Sequence, residues 1–257
     1  MTAQAGTKRG TYLYGIISSP PAKPCACPTF LCTGIDDARI YLVSQGRLAA
    51  VVSDVPATKF RPERRHLAAH HAVVKHLMEN CTVLPVSFGV IADGADTVRR
   101  ILSVNQTALD DQLQRMEGKV EMGLRVFWDV PNIFEYFVNT HAELKALRDQ
   151  IFRSGREPSQ SQKIEVGRLF ERILSEERAT DTETAVSVLS SRCSEIKQDR
   201  PCSEREVTNL ACLVERDAQR GFEEGVLEAA TLFDSDFRFD LNGPWPPYNF
   251  VTVELRI

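Results

Sequence analysis

Residues 119–129 read KVEMGLRVFWD, and their alternation decides how the chain is divided. Val120, Met122, Leu124 and Val126 fall on one side of an extended chain, with Lys119, Glu121 and Arg125 on the other. Successive side chains of a strand point to opposite faces, so the stretch predicts a strand with one buried face. Glu117-Gly118, just before it, is where a second domain can begin. Downstream, Pro131–Phe152 predicts helix, and 154–161, polar with Gly and Pro, a loop. From Lys163 the pattern is helical again, with Val166, Leu169, Phe170, Ile173 and Leu174 on one stripe. Val186, Leu189, Cys193 and Ile196 predict a second helical stripe, which Arg200-Pro201 ends. Val207–Val214 (VTNLACLV) reads as a buried strand, Asp217–Leu232 as helix and Phe237–Leu241 (FRFDL) as strand. Strand, helices, strand, helix, strand is the order of an antiparallel α+β layer of the split β-α-β kind.

Upstream, Thr11–Ser18 (TYLYGIIS) predicts a buried strand, followed by a Pro- and Cys-rich loop to Cys32. Ala38–Ser44 and Arg47–Asp54 predict a hairpin around Gln45-Gly46. Pro62–Asn80 predicts helix, with Pro62 in its first turn and Leu67, His71, Val74, Leu77 and Met78 on its inner face. Thr82–Val86 and Phe88–Ile91 read as strand, Pro85 marking an edge or a bulge. Asp93–Met116 reads as one helix, with Val98, Ile101, Leu102, Ala108, Leu109 and Leu113 inward. The expected architecture is α+β: an N-terminal α+β domain over 1–117, a second over 118–243, and a tail over 244–257.

The chain has 257 residues, 43% of them apolar and 26% charged, values ordinary for a globular protein with a real core. Its net charge of −4, with basic residues scattered, gives no footprint for nucleic acid or anionic membrane. No run approaches the roughly 18 apolar residues of a membrane span. The apolar patch Tyr12–Ile17 is too short for a signal-peptide core, so a cytoplasmic protein is expected. Seven cysteines then read as reduced thiols rather than a disulfide framework.

Little in the sequence nominates chemistry. His66 and His70 stand four apart on one predicted helix, a spacing that can hold zinc, but no third ligand follows in a recognisable pattern. Leu67 stands where a zinc protease would carry glutamate. Cys25, Cys27 and Cys32, with Cys81 at a distance, could hold a soft metal, yet no second knuckle accompanies them. No phosphate loop, dinucleotide fingerprint or nucleophile elbow is present. No catalytic, cofactor-binding or metal-binding residue is therefore expected. The competing reading is a metal- or thiol-dependent enzyme built on these histidines or cysteines.

The chain closes on FDLNGPWPPYNFV, Phe239–Val251, where three prolines stiffen a path studded with aromatic residues. Such a string suits docking better than solvent. Trp245, Tyr248 and Phe250 are the candidate contact residues, between the domains or with a partner, and residues 249–255 (NFVTVEL) are expected to add a strand to the N-terminal sheet.

With TYLYGI near the start, TVLPVSFG at Thr82–Gly89 and GKVEMGLRVFWD at Gly118–Asp129, this closing string resembles the gas vesicle protein F/L family across nearly the whole chain. The resemblance implies two α+β domains, the second a modified ferredoxin-like one. It implies a non-enzymatic accessory protein and minor component of gas vesicles, without a cofactor. The implied partners are the small apolar shell protein (GvpA-type) and other accessory proteins, with no nucleic acid and no membrane. It also implies a role in starting assembly and in holding shell monomers back from aggregation, at the gas vesicle within the cytoplasm. A ferredoxin-like binding module unrelated to vesicles is the further alternative.

Overall fold

The computed structural model describes residues 9–19, 33–56, 62–153 and 157–252. The chain divides into two compact units, Met1–Glu121 together with Pro244–Ile257, and Met122–Gly243. The second unit is thus inserted into the first in sequence.

The first unit is built on strands β1 (Arg9–Ser18), β2 (Ile40–Gln45), β3 (Leu48–Pro56), β4 (Val83–Pro85) and β5 (Ile91–Ala92). They form an antiparallel sheet in the order β2-β3-β1-β4, with β5 also on β1. The β2–β3 hairpin turns at Gly46-Arg47, and Gly46 takes a φ of 59°, a left-handed conformation that glycine adopts without strain. Along β1 and β3 the register runs from Arg9 opposite Pro56 to Leu13 opposite Val52, then skips Tyr14 and resumes with Gly15 opposite Val51. Tyr14 is therefore the extra residue of a β-bulge. The bulge resets the alternation, so Tyr12, Tyr14 and Ile17 all join one core cluster. Gly15 beside it is required by space, since a Cβ there would sit 2.7 Å from Val83 Cγ2.

Helix α1 (Arg64–Asn80) covers that face with His66, His70, Val73, Val74, Leu77 and Met78. The expected inner face was misplaced at its first turns: His70 turns inward, where two tyrosine hydroxyls meet its ring, while His71 is exposed. Pro62 precedes the extended N-cap residue Glu63 rather than occupying the first turn. The expected helix over 93–116 is two, α2 (Ala95–Val104) and α3 (Gln106–Met116). Asn105 divides them, its buried side-chain amide donating back to the Ile101 carbonyl at 2.8 Å, the local bonding by which Asn competes with helix. Val98, Ile101, Leu102, Leu109 and Leu113 are buried as expected; Ala108 is exposed.

The second unit takes its sheet from β6 (Lys119–Trp128), β7 (Glu195–Asp199), β8 (Glu206–Glu215) and β9 (Phe237–Trp245), in the order β7-β8-β6-β9. Between β6 and β7 come α4 (Ile133–Thr140), α5 (Ala142–Phe152) and the thirty-residue α6 (Gln160–Leu189); α7 (Gln219–Ala230) joins β8 to β9. Because β8 lies between β6 and β7, the crossover joining those two is split. Helix α6 opens on a capping box, Ser159 accepting from the Gln162 N–H while the Gln162 side chain accepts from the Ser159 N–H. The helix over 131–152 is interrupted at His141, whose ring stacks on Phe137 at 5.1 Å and meets Glu177 Oε1 at 3.1 Å. Strand β7 was not expected. Its residues are mostly charged and only Ile196 packs inward, the composition of a guarded edge strand. Cys193 accordingly sits in a turn and Ile196 on a strand, not on the tail of a helix.

Trp128, Phe137, Phe170 and Phe222 centre this core. At its margin Glu206, with no side-chain exposure, accepts from Arg125 Nε at 2.7 Å and from the Cys202 N–H. Burial alone would raise this carboxyl, but Arg125 and Cys202 outweigh it and hold it below the ordinary range. Arg178 ties down the preceding loop by donating to the carbonyls of Ser203, Glu204 and Glu206. Glu206→Ala strips Arg125 and the Cys202 N–H of their acceptor and is expected to cost about 3 kcal/mol in urea denaturation. Arg125→Met combined with Glu206→Leu should recover part of that loss, because the pair is then replaced rather than broken.

Candidate functional site

The segment 244–252 is the site the sequence singled out, and within the first unit it is anchored residue by residue. Its prolines set an extended path, and turn hydrogen bonds follow. The Tyr248 N–H donates to the Pro246 carbonyl at 2.7 Å, and those of Phe250 and Val251 to the Pro247 carbonyl at 3.2 Å. Pro246 and Pro247 are buried and pack internally. Residues 248–252 form this turn and an irregular continuation, not a strand. The compact proline-led turn consumes the backbone groups a ladder would need; residues 253–255 of the expected strand lie outside the described residues.

The three candidate residues take different places. Phe250 is fully buried, and its carbonyl accepts from Arg115 Nη1 at 3.4 Å. Tyr248 is half-buried and its hydroxyl meets His70 Nε2 at 3.1 Å. Trp245, at the end of β9, is 43% exposed. Between them, Asn249 donates its backbone N–H to Glu121 Oε2 at 2.9 Å and its Nδ2 to Glu121 Oε1 at 2.8 Å. This explains why Glu121, placed by alternation on the polar side of its strand, is 7% exposed.

His70 is the centre of the anchor. Its Nδ1 meets the Tyr12 hydroxyl at 2.9 Å and its Nε2 the Tyr248 hydroxyl. The Tyr12 oxygen also accepts from the Gly89 N–H at 3.0 Å, and between the two hydroxyls one ring nitrogen accepts while the other donates. This requires a neutral ring. Burial, helped by neighbouring His71 and opposed by the Val86 carbonyl, lowers the His70 pKa to about 4. Burial likewise pushes the Tyr12 phenol up to about 12, and raises that of Tyr248. Tyr14 completes the layer, meeting Ser53 Oγ at 2.9 Å and accepting from the Ile35 N–H at 2.9 Å. His66 Nε2 meets Asp36 Oδ1 at 3.1 Å. The two histidines thus share a buried face with separate partners, and no cluster of three or more metal-ligating side chains occurs among the described residues. Cys25, Cys27 and Cys32 lie outside those residues; Cys81 donates its thiol to the Leu77 carbonyl at 3.3 Å.

Beside the anchor is a shallow groove of about 200 Å³, lined by Ile16, Leu84, Pro85, Val86, Val90, Leu109 and Val251, with Ser87 as its polar side chain. It follows β4, at the end of the sheet order opposite β2, and Val90 is 37% exposed there. Apolar lining, few polar groups and an adjacent strand edge form a surface suited to contact rather than to bond-making.

Comparison with known proteins covers the same span. A family model described as gas vesicle synthesis protein GvpL/GvpF matches residues 10–252. Gas vesicle protein F of Streptomyces sp. (strain CB03234) is 29% identical over 244 residues, 94% of this chain and 99% of its own. Gas vesicle protein F of Nostoc sp. (strain PCC 7120 / SAG 25.82 / UTEX 2576) is 26% identical over 247 residues, 95% and 98% of the two chains. The crystal structure of GvpF from Anabaena sp. PCC7120 superposes with a TM-score of 0.80 at 24% identity, over 95% of this chain and 99% of that one, a likeness of fold.

Two measurements check the anchor. Phe250→Ala should destabilise the protein by about 3–4 kcal/mol through the cavity left, and Tyr248→Phe by about 1–2 kcal/mol through the lost hydrogen bond to His70, both read by urea denaturation. The second concerns pH. With His70 near 4 when folded and about 6.5 unfolded, the unfolded chain holds a proton between those values that the folded chain lacks. The contribution is fully present above about pH 6.5 and falls as pH drops towards 4, by about 3 kcal/mol in all. His70→Gln should remove that part of the slope.

Proposed function

The chain belongs to the gas vesicle synthesis protein GvpL/GvpF family, and on that premise we propose that it is an assembly factor and minor component of gas vesicles. It binds the small apolar shell subunit and keeps it from aggregating before it joins the wall. It works by contact, without a cofactor, and transforms no substrate. The match to the family over residues 10–252 is the observation that carries this reading.

The physics of the wall makes such a partner necessary. A subunit that encloses a gas-filled space must present apolar surface and unpaired strand edges before assembly, and both promote uncontrolled association. A partner that covers them gains about 25 cal/mol for each Å² of apolar area removed from water, with no need of reactive groups. The groove along β4, with Val90 at its rim, supplies such area, and exposed Trp245 supplies a large flat contact. Tyr248 and Phe250, the other two residues of the aromatic string, serve the anchor instead. No helix among the described residues is long and apolar enough to cross a membrane.

The reading predicts that the purified chain captures the shell subunit and suppresses its aggregation, measured by co-purification and light scattering. Trp245→Ala and Val90→Asp should each weaken capture at least several-fold while leaving the melting temperature nearly unchanged; Phe250→Ala should lower the melting temperature. A chain that neither captures the subunit nor slows its aggregation removes the proposal.

A further inference from the structure

In the second unit, two cysteines that no role in assembly accounts for are brought together. Cys193 lies in the turn between α6 and β7, within SSRCS (190–194), and is half-buried. Cys212 lies on β8 and is fully buried. The β7–β8 ladder sets their relation: Ile196 stands opposite Cys212, and the Ser194 N–H donates to the Leu213 carbonyl at 2.7 Å. The turn before Ser194 then packs Cys193 against the core cluster that contains Cys212, with the Cys212 side chain within hydrogen-bonding reach of the Cys193 thiol. Cys193 Sγ also donates to the Leu189 carbonyl at 3.2 Å.

We propose that Cys193 and Cys212 form a peroxide-sensitive dithiol that closes to an intramolecular disulfide. The two positions are unequal in the way such a pair needs. Cys193 is half-buried at the margin of the core; Cys212 is shielded and supplies the second thiol. The Cys212 hydrogen bond holds the Cys193 thiol below its usual range, burial works against this, and the Glu195 N–H adds to it. The oxidant is hydrogen peroxide. The Cys193 thiolate attacks the O–O bond, which breaks; one oxygen stays on sulfur as sulfenic acid and the other leaves as hydroxide, which takes up a proton to become water. Cys212 sulfur then attacks the sulfenic sulfur; the S–S bond forms, the S–O bond breaks, and the departing hydroxyl leaves with the Cys212 proton as a second water. Two thiols lose two electrons and one peroxide gains them. Closing the pair to a bond of about 2.05 Å draws Cys193 towards β8, a movement that falls on the short polar turn before β7. The bond would tie the end of α6 to β8 and lock the β7–β8 hairpin. This inference stands independently of the assembly role.

The test uses the full chain. It is treated with hydrogen peroxide, alkylated with N-ethylmaleimide under denaturing conditions, digested and mapped without reduction. The expected product is a disulfide-linked peptide pair joining Cys193 to Cys212, lost on reduction. A variant with Cys25, Cys27, Cys32, Cys81 and Cys202 changed to serine should give the same pair, which excludes transfer from other thiols. In Cys212→Ala, Cys193 should instead accumulate as sulfinic acid, several-fold above its level in the parent chain. Recovery of both cysteines alkylated, or of sulfinic Cys193 to the same extent with and without Cys212, overturns the proposal.

Discussion

The first unit depends on one buried ring. His70 uses both nitrogens, one towards Tyr12 and one towards Tyr248, and so joins a strand, a helix and a segment 178 residues further along the chain. A neutral imidazole satisfies two hydroxyls by accepting from one and donating to the other, and the Gly89 N–H adds a backbone bond to the Tyr12 oxygen. Each of these polar groups would be destabilising if buried alone. Together they leave an apolar layer with its polar atoms paired, and the pairing specifies where the proline-rich segment must lie. Tyr12 and Tyr14 share the helix-facing side of β1 by ordinary alternation, and the bulge at Tyr14 brings Ile17 to the same side.

Much of the scaffold could be read from residue pattern. The run TYLYGIIS, the hairpin at Gly46 and the alternation of Val120, Met122, Leu124 and Val126 appear as β1, β2–β3 and β6 because periodicity and burial agree there. Mixed helix and antiparallel sheet, as expected, is what the chain adopts. The failures have local causes. The helical stripe put His71 inward, whereas its neighbour His70 is the buried one, held by Tyr12 and Tyr248 from distant parts of the chain. Asn105 and His141 interrupt helices through bonds of their own side chains, which propensity does not encode. Strand β7 carries almost no hydrophobic signal because it is an edge. Composition singled out the aromatic string at 245–250 but not which of its residues faces inward, because that is decided by Tyr12, His70 and Glu121 far away in sequence. Cys193 and Cys212, read as parts of a helix and a strand, gave no hint of meeting.

The two sheets handle their edges differently. In the second, β7 alternates charged residues along its length, and β9 carries Arg238 and Asp240 on its exposed positions. These features discourage pairing with other chains. In the first, β4 is only three residues long and ends on Pro85, yet apolar side chains line the groove beside it. A partner meeting this surface finds little ladder to extend and more side-chain area to cover. For a protein proposed to handle subunits that themselves aggregate through strand edges, that bias favours release over permanent capture.

The insertion of one unit within the other has a consequence for biosynthesis. A ribosome delivers residues 122–243 before it delivers Tyr248, Asn249 and Phe250. The inserted unit therefore has all of its own residues and can mature early, while the outer one waits with a vacancy in its interior and with His70 missing a neighbour. Until translation has passed that point, the outer unit lacks the hydroxyl that meets His70 and the amides that meet Glu121.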